Sequence, residues 1–159
     1  MQSDPETVFV PATETVHAGV DDATLAVAQA RLTYKLPAAY VALLRVRNGG
    51  DLRRTRCETD FATSWAPDHF VVESLVGVGQ AALALDGDTG SDYMIREWGY
   101  PDIGLVVGVT PSAGHDTVML DYRDCDPDSE PRVVYVDEDR IPRIVAESFG
   151  AFIDALASG

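Results

Sequence analysis

Several groupings of side chains in this 159-residue chain have the types needed for chemistry. His115-Asp116, followed by Asp121, could supply a metal site or an acid–base pair. Side chains alternate across a strand, however, so residues 115 and 116 point apart, as do Asp116 and Asp121. A turn histidine hydrogen-bonded to its neighbours is the better account. Asp86, Asp88, Asp92 and Glu97 fall at positions 1, 3, 7 and 12 of a calcium-loop frame. Ser91 stands where that frame needs glycine, Gly90 replaces a ligand, and Gly99 and Pro101 oppose the helix that should follow. Ser64, Ser74 and Ser112 lack the G-x-S-x-G setting of an activated serine. Gly87, Gly90 and Gly99 have no phosphate-cradling spacing. Cys57 and Cys125 lie far apart with no metal-ligand spacing, and read as small buried hydrophobes. No catalytic residue, metal or cofactor is expected.

Charge is more informative. Twelve basic residues against 26 acidic ones leave a formal net charge of −14. Such a surface repels the phosphates of nucleic acid and favours steered association with a basic protein. Solubility alone also explains acidity. The distribution is uneven: seven of the twelve basic residues lie between Arg31 and Arg56, against the single acid Asp51. Between Asp121 and Asp139 there are eight acids and two arginines, Arg123 and Arg132. The two tracts could complement each other within the fold or form separate faces.

The elements that must position these residues follow from pattern. Asp21 and Asp22 are good N-caps for a helix over 22–33 with Leu25, Ala28, Gln29 and Leu32 on one stripe. A second helix runs from Pro37 to Arg47, with Pro37 suited to the first position and Asn48-Gly49-Gly50 closing it. Residues 50–68 are polar and irregular. Strands are predicted over 70–78, 103–109, 116–122 and 132–136, with a short helix or turn at 80–85 and a loop at 86–92. An amphipathic helix carrying Val145, Phe149, Phe152, Ile153 and Leu156 on one face closes the chain, with Gly150 in its middle. Short turns between strands imply antiparallel pairing, because a parallel crossover needs a dozen or more residues. The expectation is one α+β domain over 1–159, a mostly antiparallel β-sheet with helices packed on one face, and residues 1–20 loop or extended. No apolar run approaches the roughly 20 residues that span a membrane. The acidic start Met1-Gln2-Ser3-Asp4-Pro5-Glu6 lacks the order of a secretory signal, so a cytoplasmic protein is expected.

Leu36-Pro37, Tyr40 and Asn48-Gly49-Gly50 together form an "LP..Y...L...NGG" string that resembles the opening motif of the SUKH superfamily. That superfamily is named for a fungal cell-wall-synthesis regulator and consists mainly of bacterial immunity proteins. The resemblance continues through the segment 72–78 and the strand-turn-strand 108–122 ending in Leu120-Asp121. It extends to the 131–137 strand and to Ser148-Phe149-Gly150-Ala151-Phe152-Ile153, which is similar to the family's terminal helix. It covers about 22–157 and omits Asp51 to His69. What it implies is a non-enzymatic domain that binds and neutralises a protein toxin, of a class often nuclease-like and basic. The rival implied by the same resemblance is a general interaction or regulatory scaffold.

For a binding face, the acids Asp124, Asp126, Asp128 and Glu130 and the run Asp137-Glu138-Asp139 are the candidates, with Trp98 and Tyr100 as aromatic anchors. The two acidic segments flank one strand and so stand about 20 Å apart. A single modest interface would engage only one of them well.

Overall fold

The computed structural model describes residues 5–11, 19–81, 83–126 and 129–157. The helices are α1 (Pro5–Val8), α2 (Asp22–Arg31), α3 (Ala38–Val46), α4 (Ser91–Trp98) and α5 (Phe149–Ala155). The strands are β1 (Gly50–Asp51), β2 (Arg56–Glu58), β3 (His69–Val71), β4 (Ser74–Leu75), β5 (Gly104–Val109), β6 (Thr117–Asp121), β7 (Arg132–Val136) and β8 (Pro142–Ala146). Six of them form an antiparallel sheet in the order β1-β4-β5-β6-β7-β8, and β2 pairs with β3 as a separate hairpin. This is the expected α+β class.

Alternation along the central strands divides the core in two. Leu105, Val107, Val118, Leu120, Val133 and Tyr135 face the larger core, shared with buried residues of α2, α3, α5 and the β2–β3 hairpin. Val106, Met119, Val134 and Val136 face the smaller core, where Met94 of α4, Tyr100 and Ile103 meet them. Every residue of β6 is buried, as expected for a strand covered on both sides.

Local chemistry explains the first helices. The Asp21 carboxylate accepts from the Thr24 amide at 2.8 Å and so caps α2. Gln29 bridges the link to α3, donating to the Tyr34 carbonyl and accepting from the Leu36 amide. Pro37 sits at the N-cap of α3, one position earlier than its fixed φ suggested, and Arg47 is the C-cap. Tyr40, Leu43 and Leu44, at i, i+3 and i+4, form the buried face of α3. Beyond it, Gly49 (φ +78°) and Gly50 (φ +140°) occupy backbone that side-chain-bearing residues rarely adopt. A Cβ on Gly49 would stand 2.8 Å from the Gly77 amide nitrogen, so the glycine also permits close approach of two chain segments.

Four sequence expectations change. The single strand over 70–78 is two: β3 belongs to the hairpin and β4 to the main sheet. At the crossing, the Val72 amide bonds the Thr55 carbonyl and the Glu73 amide bonds the Val109 carbonyl. Within 1–20, expected as loop or extended, Pro5–Val8 form the short helix α1, while of the short helix or turn expected at 80–85 the chain takes a turn at 79–80. The closing helix is shorter, because Pro142 to Ala146 form the edge strand β8. Proline is tolerated at the start of an edge strand, and β-branched Ile144 and Val145 favour extension. Ser148 then caps α5 by accepting from the Ala151 amide at 3.1 Å, which puts Gly150 in the first turn. Finally, α4 replaces the end of the predicted 86–92 loop and packs on the sheet face opposite α3 and α5. Its C-cap Gly99 (φ +75°) is a left-handed terminator. No helix among the described residues is long and apolar enough to cross a membrane.

Candidate interaction surface

Most acids of the 121–139 tract are engaged within the fold. Buried Asp121 accepts from the Arg123 backbone amide at 3.0 Å and pairs with the Arg123 guanidinium at 2.8 Å. Burial pushes its pKa up, but the bonds from Arg123 outweigh this and hold it below the usual carboxylate value. Asp124 pairs with Arg132 at 3.2 Å, and the same guanidinium meets Glu147 at 3.2 Å. Glu130 accepts from the Phe149 amide at 3.3 Å. Asp137 is buried and takes the Ser64 amide at 2.8 Å, the Ser64 hydroxyl at 2.6 Å and the Glu138 amide at 2.9 Å. Asp139 holds Arg143 at 2.8 Å, which with the Ile141 amide lowers its pKa. Asp126 and Glu138 are exposed and form no ion pair among the described residues; Asp128 lies outside the described residues.

The basic tract is engaged separately. Arg45 pairs with Asp22 and Arg56 with Glu58, while Arg47 and Arg53 donate to the carbonyls of Val10 and Thr7. Among the described residues no ion pair joins 31–56 to 121–139. The tracts therefore do not neutralise each other through ion pairs, although they touch where the Tyr122 hydroxyl donates to the Lys35 carbonyl at 2.7 Å.

Among the residues weighed for chemistry, Asp116 is bonded within the fold. Asp116 is 3 % exposed and accepts from the Trp65 indole at 2.6 Å and from the hydroxyls of Thr110, Ser112 and Tyr135. This one carboxylate ties the 59–68 loop to the sheet, and a charge so completely bonded is held in place. His115 is exposed, and its carbonyl accepts from Arg140 at 2.7 Å. Asp92 lies in α4, while Asp86 accepts from the Gly79 amide at 2.8 Å. Among the described residues no His, Cys, Asp and Glu groups gather as a metal site. Burial pushes the Cys57 thiol up to about 12 and also raises Cys125. Both thiols are therefore protonated and poorly nucleophilic at neutral pH.

The second acidic region surrounds α4; in the sequence its Asp86, Asp88, Asp92 and Glu97 read only as a calcium frame and not as a binding face. Tyr93 borders two hollows beside this helix. One, of about 540 Å³, is mainly apolar and lined by Leu83, Met94, Trp98, Tyr100, Val106 and Val109. The other, of about 560 Å³, is polar and includes Asp86, Asp88, Asp92 and Asp102 with Arg31 and Arg96. Arg31 approaches Asp86 at 3.7 Å and Arg96 pairs with Asp92 at 3.0 Å. Asp88 and Asp102 are exposed and form no ion pair among the described residues. The two anchors expected here part company. Trp98 is 42 % exposed, whereas Tyr100 is buried and donates its hydroxyl to the Gly114 carbonyl at 2.6 Å. Burial pushes the Tyr100 phenol up to about 12, opposed by Arg140, whose guanidinium lies 4.6 Å above its ring. Arg140 also donates to the Trp98 carbonyl at 3.0 Å, clasping the end of α4 to the 111–114 turn.

Comparison with known proteins adds a family. Residues 19–155 match the SMI1 / KNR4 family (SUKH-1). The chain belongs to this family. No curated protein and no solved structure matches it. In this SUKH-1 chain the opening motif does architectural work. Asn48 donates its amide to the Val78 carbonyl at 2.7 Å and accepts from the Val78 amide at 2.8 Å, imitating a strand partner. Tyr40 donates to the Val76 carbonyl and stacks on Phe149 with centroids 4.7 Å apart. Leu36 and Pro37 are buried beside them, and the Leu120-Asp121 pair ends β6. The SUKH-1 match spans the 51–69 region, which the motif resemblance omitted. Here that region is the β2–β3 hairpin, whose Phe70 stacks on Tyr135 at 4.1 Å.

Proposed function

We propose that this SUKH-1 protein is an immunity protein that binds a protein toxin and neutralises it by covering its working surface, transforming nothing itself. The observation that carries the reading is the family match over 19–155. The charge supports it: an excess of fourteen negative charges favours a basic partner, such as a nuclease-type toxin, and speeds encounter with it. An acidic protein seated where the substrate's phosphates would lie blocks such an enzyme without chemistry of its own. Cytoplasmic action fits a toxin whose target is nucleic acid.

The acids first considered for contact divide by their surroundings. Asp124, Asp126 and Glu130 are exposed at one end of β7, and Glu138 at the other; Asp121 and Asp137 face inward. The exposed ones contribute to the long-range field whatever the point of contact.

Co-expression with the product of an adjoining toxin gene tests the reading. The expected result is a complex that purifies as one species, abolition of the toxin's activity in vitro and rescued growth. Toxin activity that persists at saturating amounts of this protein would overturn it. Stable binding to a non-toxic cellular partner instead would support the regulatory-scaffold reading.

A further inference from the structure

We infer that α4 and the two hollows beside it form the docking surface for a basic protein partner. The partner seats a large apolar side chain in the apolar hollow and sets lysines or arginines against Asp88 and Asp102. The inference rests on the toxin-binding reading and adds to it where contact is made and what chemistry the partner must present.

Three observations converge on this surface. The first is an apolar hollow of about 540 Å³ with an exposed aromatic, Trp98, at its wall. Interface energy concentrates in such pockets, where an aromatic or aliphatic anchor is removed from water. Trp98 is held edge-on to Tyr93 and Tyr100 at 6.4 and 6.1 Å, and its carbonyl is fixed by Arg140. A wall already in place costs little ordering entropy on binding.

The second is free charge. Asp88 and Asp102 border the polar hollow and are not neutralised by any ion pair among the described residues. In the 121–139 tract Asp121, Asp124 and Asp139 each have an arginine and Asp137 has Ser64, while the unpaired Asp126 and Glu138 line no part of the apolar hollow. A cation gains most from a carboxylate that is not already paired.

The third concerns the occupant. Two copies of this chain would each bring a net charge of −14, so self-association through an acid-rimmed hollow is opposed. A basic partner is drawn to the same rim. An apolar anchor flanked by cations satisfies both hollows at once, because Tyr93 borders each.

The test is binding kinetics with the product of the adjoining toxin gene, using the full chain. Trp98→Ala removes the wall of the apolar hollow. Thr89→Arg places a bulky charged group at its mouth; Thr89 is exposed, so this variant is expected to melt like the parent. Each should weaken Kd about tenfold or more, mainly through faster dissociation. The double variant Asp88→Lys/Asp102→Lys should slow association about tenfold at low salt, with the difference shrinking as salt rises. Asp124→Lys/Asp126→Lys changes net charge by the same amount and should alter Kd by no more than about threefold. If the 124/126 variant loses binding while the α4 variants keep it, the docking assignment fails and the toxin reading stands. If the parent protein does not bind the toxin, both fall. A dimer in sedimentation that Trp98→Ala dissolves would give the hollow to a second copy and overturn the inference.

Discussion

Two acidic regions of this molecule differ in what their carboxylates meet. In the 121–139 tract, Asp121, Asp124, Asp137 and Asp139 are bonded to Arg123, Arg132, Ser64 and Arg143. Around α4, Asp88 and Asp102 face solvent at the polar hollow, which shares Tyr93 with the apolar one. Each region thus keeps some acids paired and some free, Asp126 and Glu138 in the tract and Asp88 and Asp102 at α4, where Asp86 and Asp92 have arginines; what sets α4 apart is the apolar hollow nearby. Density of charge along the chain measures the field, whereas recognition depends on which charges remain unpaired and what apolar surface adjoins them.

Breaking the bonded acids should cost stability. The largest effect belongs to Asp116, whose removal takes the acceptor from the Trp65 indole and the Tyr135 hydroxyl and one bond from each of Thr110 and Ser112, which keep each other. Asp116→Ala should lower stability by about 3–5 kcal/mol, seen as a lower urea midpoint. An unchanged midpoint would mean those bonds do not tie the loop to the sheet. Asp137→Ala frees Ser64 and should cost about 1–3 kcal/mol, with faster amide exchange at Ser64 and Trp65. Exchange unchanged there would detach Asp137 from the loop.

Asp121 sharpens the comparison through pH. Its pKa is held below the ordinary value, so its contribution is complete above that value and is lost as pH falls below about 4. Asp121→Asn should therefore be less stable than the parent at pH 7 by about 1–3 kcal/mol, and the two should converge in acid. A gap that persists at pH 2 would assign the loss to packing. The smallest effect is expected at α4: Asp88→Asn and Asp102→Asn should shift stability by no more than about 0.5 kcal/mol in thermal melts. A larger loss at either would show it to be a structural acid.

Much of the fold was legible in the sequence because its signals are local. The capped α2, the Tyr40-Leu43-Leu44 stripe and the β-branched runs of β5, β6 and β7 each declare their period. β8 was hidden by a coincidence: Val145 and Phe149 are four apart and so imitate a helical stripe that Ser148, the cap of α5, interrupts. α4 was hidden by composition, since Gly87, Asp88, Thr89 and Gly90 read as loop and drew Ser91 and Asp92 in with them. The available signal was the Asp92–Arg96 pair four residues apart, ended by Gly99. With α4 unseen, the hollows beside it were unreachable. The inward turn of Asp137 and Tyr100 was equally illegible, because burial of a polar residue depends on partners such as Ser64 and Gly114 distant in the chain.

The most direct measurement is an amide and indole spectrum of isotopically labelled protein, titrated with the adjoining toxin. Recognition at α4 predicts that the Trp98 indole and the amides of Thr89, Tyr93 and Asp102 shift first and furthest. Shifts confined to 121–139, or a spectrum that does not change at saturating toxin, would contradict it.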